Sequence, residues 1–257
     1  MPERKEYMPG VPCWVDSTQP DPEAAAEFYG GLFGWELEQV MPPESGAKYF
    51  MARIRGGDVG AISSQPSGAP PQAVWNTYVA VASADDAAAK VRDAGGQVMA
   101  EPFDVMDAGR MALLQDPAGA TLCVWQAGNT IGAGRVNEPG CLTWNELHTP
   151  DVDAATSFYG GLFGWTTAAM DTGGGPPYHV IRNGDRSNGG ITATQEGEPP
   201  NWIPYFAVES LDRAMSAASE GGGATLGGPI PMPAGRIAIL RDPQGAVFAL
   251  WEGQLED

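Results

Sequence analysis

Basic residues are scarce in this chain: 14 lysines and arginines stand against 32 aspartates and glutamates, for a net charge of −18. Such a surface repels phosphate backbones and anionic lipids, so neither nucleic acid nor a membrane is an expected partner, and neutral or cationic ligands are favoured. Histidine is scarcer still, with two in 257 residues. Cysteine is limited to Cys13, Cys123 and Cys141, an odd number without paired spacing, which argues against a disulfide framework and for buried, reduced thiols. No apolar run approaches the ~20 residues that a bilayer span requires. The opening residues Met1 to Glu6 are charged, with no apolar segment behind them. No export or transit signal is read there, and a cytoplasmic location is the expectation.

What the chain does have is a duplication. FYGGLFGW at 28–35 recurs without change at 158–165, and internal repeats of this kind take precedence over any single motif. Trp14-Val15-Asp16 answers to Trp144-Asn145-Glu146, Trp75 and Tyr78 to Trp202 and Tyr205, and AGRMALLQDPAGATLCVWQ at 108–126 to AGRIAILRDPQGAVFALWE at 234–252. The reading is a first domain over 1–128, a linker over 129–139 and a second domain over 140–257.

Each copy follows the same order. Residues 11–18 alternate as a strand does. Asp21 then offers an N-cap with Pro22 at the first helical position, and a helix runs on until Gly34 stops it. Short strands follow at Tyr49–Ile54 and Val59–Ile62, split by a Gly56-Gly57-Asp58 hairpin signal. A strand at 75–81, a helix at 84–94 and two strands flanking the turn Asp116-Pro117-Ala118-Gly119 complete the copy. The glycine runs Gly173–Gly175 and Gly221–Gly223 lack a phosphate-binding lysine and read as loops.

Two βαβββ units per copy, with the FYGGLFGW helix end and the DPxG hairpin, resemble the vicinal-oxygen-chelate superfamily of glyoxalases, bleomycin-resistance proteins and extradiol dioxygenases. The tandem arrangement is similar to that of two-domain actinobacterial glyoxalase-like proteins described as hydroxylases. The resemblance implies an α+β fold: tandem domains, each a curved mixed sheet with helices on its outer face and a ligand on its concave one. It also implies where metal ligands would stand, fourteen residues before the Phe of the FY pair, at the opening of the second unit's first strand, and seven residues after the Asp of DPxG. This sequence has Trp14, Asn76 and Cys123 there in the first copy, and Trp144, Ile203 and Ala249 in the second. The usual His and Glu are absent, so neither a metal nor any other cofactor is expected. Glu146, His148 and His179 are the one alternative set, if His179 turned inward; the plainer reading makes them a polar pocket wall.

Aromatic side chains stand where the ligands would be. Trp14, Trp125, Trp144 and Trp251 can line a cavity for a flat ligand or fill the core, and the sequence leaves both open. Trp35 and Trp165 read as core. Asp16 and Glu146 share a face with Trp14 and Trp144, because side chains two apart in a strand point the same way. An apolar neighbourhood raises a carboxyl pKa and suits it to acid–base work. His148 is a natural proton partner, and Thr18 replaces it in the first copy. The leading expectation is a metal-independent binder of a hydrophobic, aromatic small molecule, with Trp14, Trp125, Trp144, Trp251, Asn76 and His179 as contacts. The alternative is a metal-free hydroxylase or oxygenase-type tailoring enzyme with Glu146, His148 or Asp16 as acid and base; a glyoxalase ranks third. A monomer with pseudo-dimeric halves is preferred, with a homodimer as the other possibility.

Overall fold

A computed structural model describes residues 3–66, 68, 71–170, 172 and 177–255. The run Gly173–Gly175 lies outside the described residues. The first half consists of β1 (Pro12–Gln19), α1 (Pro22–Phe33), β2 (Glu36–Gln39), β3 (Tyr49–Ile54), β4 (Gly57–Ser64), β5 (Val74–Ala80), α2 (Ala84–Asp93), β6 (Gln97–Val105), β7 (Gly109–Gln115) and β8 (Thr121–Ala127). The second repeats the order with β9 (Leu142–Thr149), α3 (Val152–Phe163), β10 (Thr166–Met170), β11 (Tyr178–Asn183), β12 (Arg186–Ala193), β13 (Asn201–Ala207), α4 (Leu211–Glu220), β14 (Ala224–Met232), β15 (Gly235–Arg241) and β16 (Val247–Gly253). Each half forms one eight-stranded mixed sheet, ordered β2-β3-β4-β1-β5-β8-β7-β6 and β10-β11-β12-β9-β13-β16-β15-β14.

Local chemistry explains the element ends. The Asp21 side chain accepts from the Ala24 amide, with Pro22 at the start of α1, and Gly34 closes the helix in the left-handed region at φ 70°. The hairpin between β3 and β4 turns at Arg55 and Gly56, both with positive φ, one residue earlier than the glycine pattern suggests. In the DPxG turn Asp116 Oδ1 accepts from the amides of Ala118, Gly119 and Ala120 at 2.8–2.9 Å.

Alternation along the strands gives each sheet two unlike faces. The helices cover one, here called the helix face, and the helix faces of the two halves meet in the middle of the molecule. Phe28, Tyr29 and Phe33 of α1 pack with Phe206, Leu240, Phe248 and Leu250 of the other half. Phe158, Tyr159 and Leu162 of α3 pack reciprocally with Val79, Leu114, Leu122 and Val124. The opposite, free faces point away from this double core.

Polar bonds cross the same boundary in matched pairs. Trp35 Nε1 donates to the Gly140 carbonyl and Trp165 Nε1 to that of Gly10, each at 2.7 Å. Tyr29 donates to Asp242 at 2.9 Å and Tyr159 to Asp116 at 3.0 Å. Two buried indoles complete the network, Trp75 donating to Tyr29 Oη and Trp202 to Tyr159 Oη. The repeated FYGGLFGW and DPxG segments are therefore the parts with which each half grips the other.

Candidate functional site

The free face of the first sheet carries Trp14 and Asp16 from β1, Tyr49 from β3, Asn76 and Tyr78 from β5, and Cys123 and Trp125 from β8. Register places Asp16 opposite Asn76 and Trp14 opposite Tyr78, and Tyr78 beside Cys123. The buried Asp16 is the hub. Its Oδ2 accepts from Tyr78 at 2.8 Å and Tyr49 at 3.4 Å, and its Oδ1 from Asn76 Nδ2 at 2.8 Å. Trp14 Nε1 donates to Tyr49 Oη at 3.2 Å. Burial raises the Asp16 pKa, and the bonds from Asn76, Tyr78 and Tyr49 only partly offset it.

The second sheet rebuilds this arrangement with different residues around the acid. Trp144 Nε1 donates to Tyr178 Oη at 2.9 Å, and Tyr205 donates to Glu146 Oε1 at 2.7 Å. His148, where the first half has Thr18, stands 2.8 Å from Glu146 Oε1 through Nε2 and 2.6 Å from Glu198 Oε1 through Nδ1. Glu198 lies between β12 and β13, and its Oε2 accepts from the Gln195 amide at 2.9 Å. Burial alone would lower the His148 pKa, but the bonds and negative charges of Glu146 and Glu198 outweigh it and raise the value above the ordinary imidazole range. Gly190 pairs with Glu146 in register and makes room for the tyrosine: a Cβ there would sit 2.0 Å from Tyr178 Oη.

The expected site residues thus fall into two groups. Trp14, Asp16 and Asn76 come together in one half, and Trp144, Glu146 and His148 in the other. Trp125 joins the first cluster, donating its N–H to the Thr130 carbonyl at 2.9 Å. Trp251 is half-buried at the end of β16, its N–H donated to the Gln254 carbonyl at 3.1 Å, outside the cluster of Ile203, Tyr205, Ala249 and Trp144. His179 does not join the site. It alternates with Tyr178 and pairs with Ile191, a residue of the helix-face core, so its ring lies across the sheet from Glu146 and His148. Tyr49, Tyr78, Tyr178, Tyr205 and Glu198 were not expected, although Tyr78 and Tyr205 correspond in the repeat.

A metal ion does not fit these residues. Trp14, Trp144, Ile203 and Ala249 offer no coordinating side-chain atom, and burial pushes the Cys123 pKa well up, which keeps it a thiol. Asp16 is already enclosed by three neutral donors. The two nitrogens of His148 point to different carboxylates on opposite sides of the ring, so Glu146, His148 and Glu198 do not surround one point. Among the described residues no three His, Cys, Asp or Glu side chains are placed to share an ion.

Tandem βαβββ units with a polar floor on the face opposite the helices define the class: a duplicated α+β scaffold of two eight-stranded mixed sheets. The model of the Glyoxalase/Bleomycin resistance protein/Dioxygenase superfamily matches residues 14–124 and 142–250, and the chain belongs to that family. It is 43% identical over 254 residues, 97% of each chain, to CFP32 of Mycobacterium tuberculosis, provisionally named a glyoxylase. It is 36% identical over 268 residues to the anthracycline biosynthesis protein DnrV of Streptomyces peucetius, covering 96% of this chain and 94% of that one. Among solved structures, the 2,3-dioxygenase LapB of Pseudomonas sp. KL28 superposes with a TM-score of 0.67 at 15% identity, over 98% of this chain and 96% of LapB; it shares the fold. Among the described residues no helix is long and apolar enough to cross a membrane.

Proposed function

We propose that the chain binds a flat, hydrophobic aromatic molecule on the free faces of its sheets, without a metal ion. One observation carries this reading: both halves keep the same construction beside the positions where the resemblance puts metal ligands, an indole N–H bonded to one phenol and a second phenol bonded to a buried carboxylate. Half-buried apolar side chains stand on the same faces, Met51, Met111 and Leu113 in the first half and Trp144, Ile237 and Ile239 in the second. Aromatic walls with a few convergent polar atoms suit planar ligands. DnrV belongs by name to anthracycline biosynthesis, and anthracyclines are fused-ring phenols and quinones. Titration of the protein with 2-hydroxyanthraquinone, followed by tryptophan emission, tests the proposal. Saturable quenching that weakens in Trp144→Ala or Trp14→Ala is expected, with the dye recovered unchanged; absence of binding overturns it.

The linked groups Glu146, His148 and Glu198 favour a second reading, a metal-free tailoring enzyme in which Glu146 takes a proton from an acidic phenol or from carbon beside a carbonyl. Conversion of the bound compound that disappears in Glu146→Gln would establish this reading over simple binding.

A further inference from the structure

On the helix face of β9, Asn145 stands where the first half has Val15 of the shared core. It is only 2% exposed, and burying an amide costs free energy unless both of its ends find partners. One end does: Thr77 of β5 donates to Asn145 Oδ1 at 2.9 Å. The Nδ2 end donates to no protein group among the described residues, yet it is not sealed in as an orphaned donor. It is turned instead to a cavity of about 490 Å³ that Asn145 lines.

The cavity exists because the two copies tie down one segment differently. Each half's hairpin is crossed by the segment that leads into the other half's first strand. In the first half the amides of Gly134 and Arg135 bond to the Asp58 carbonyl of the β3–β4 hairpin at 2.8 and 3.3 Å. The Arg135 side chain lies against Gly57, where a Cβ would come within 2.9 Å of it. The corresponding residues near the N-terminus are held by the linker instead: Arg4 N donates to the Gly134 carbonyl at 2.8 Å, and Tyr7 Oη to that of Ala133 at 2.7 Å. A cleft is left between this segment, the start of β9 and the β11–β12 hairpin.

The lining of the cleft offers both senses of hydrogen bond. Asn183 and Asn188 spend Nδ2 on the carbonyls of Pro9 and Gly10 at 3.0 and 3.1 Å, which leaves their oxygens to accept. Thr143 and Ser187 line the same space, and their hydroxyls bond to no protein group among the described residues. Arg4 and Glu6 add one charge of each sign, so the lining has no net preference for an anion or a cation. A hydroxyl both donates and accepts, so a molecule carrying several can serve the amide N–H and the amide oxygens together. The volume falls within the ~300–1,000 Å³ usual for small-molecule sites.

We propose that this cleft is a second binding site, for a neutral polyhydroxylated molecule such as a monosaccharide, which accepts from Asn145 Nδ2 and donates to the oxygens of Asn183 and Asn188. It lies across the sheet from Trp144 and Glu146, and is independent of the binding function put forward above.

Saturation-transfer NMR of the intact chain with D-glucose, D-galactose, L-rhamnose and myo-inositol tests the proposal. Saturable transfer to at least one of the four is expected. Its affinity should fall at least about tenfold in Asn145→Val, which copies the first half, the scale of one hydrogen bond lost. It should fall severalfold in Arg4→Met, which removes no side-chain bond that the fold uses among the described residues and so reports on the site even if Asn145→Val does not fold. Added 2-hydroxyanthraquinone should leave the signal in place, as should Trp144→Ala. No transfer to any of the four compounds overturns the proposal, and so does unchanged binding in both Asn145→Val and Arg4→Met. Displacement by the dye would move the compound to the floors and overturn the second site. Tighter binding of D-gluconate than of D-glucose would make the cleft an anion site and overturn the neutral class.

Discussion

His148 is the residue on which the two halves differ most in chemistry. Its pKa is lowered by burial but raised more strongly by Glu146 and Glu198, so the folded value lies above the ordinary 6.5. A group whose pKa rises on folding binds its proton more tightly in the native state. The stability it contributes is complete below the ordinary imidazole value and is lost as pH climbs through the higher folded value. The thermal stability of the unaltered protein should therefore fall from about pH 6.5 upward, and His148→Thr should lose that part of the slope. Because His179 is the only other histidine, an imidazole titration by NMR can follow the two rings directly, and a His148 midpoint below 6.5 would contradict the structure. The acids and tryptophans of the site were legible from alternation on the first strand of each copy. Tyr49, Tyr178 and Glu198 were not, because alternation says which residues share a face but not which strands lie side by side. Likewise nothing in the sequence around 178 and 179 sets which of Tyr178 and His179 faces the acid.

At the level of elements, the helix ends and DPxG turns were readable because their signals are local: a capping Asp, a stopping Gly, and a Pro and Gly at fixed turn positions. Their second role was not readable, since it depends on the other copy. Asp116 serves its own turn through Oδ1 and the other half's Tyr159 through Oδ2. Removing the phenol oxygen in Tyr159→Phe leaves that carboxylate oxygen and the Trp202 N–H without a buried partner. The expected loss is about 1–3 kcal/mol, measurable by urea unfolding; Tyr29→Phe should cost less, because Asp242 Oδ2 keeps the Gln19 Nε2 donor at 2.6 Å and only the Trp75 N–H loses its partner. A change within a few tenths of a kcal/mol in both would show that the cross-half bonds contribute little.

For the molecule as a whole, each of the two large apolar clusters draws side chains from both halves. A fragment ending at residue 128 would expose Phe28, Phe33, Val79, Val91 and Leu114 together on its helix face, a patch of a kind that soluble monomers seldom leave open. Such a fragment should self-associate or fail to fold, and co-expression with residues 140–257 should recover a single complex of the intact protein's size by light scattering. A well-behaved monomer of the first fragment alone would contradict the shared core. The intact chain, with both helix faces already covered, is expected to be monomeric in the same measurement.

The grip between the halves and the polar floors occupy opposite surfaces of the same strands. Val15 is in the shared core while its neighbour Asp16 belongs to the floor, and one residue's step along the chain separates the two duties. Substitutions on one surface can accumulate without loosening the other, so a duplicated scaffold can keep its joint unchanged, as the two identical FYGGLFGW segments have stayed, while Thr18 and His148 or Asn76 and Ile203 drift apart. Exchanging floor residues between the copies is for that reason a route to two floors of chosen polarity in one chain.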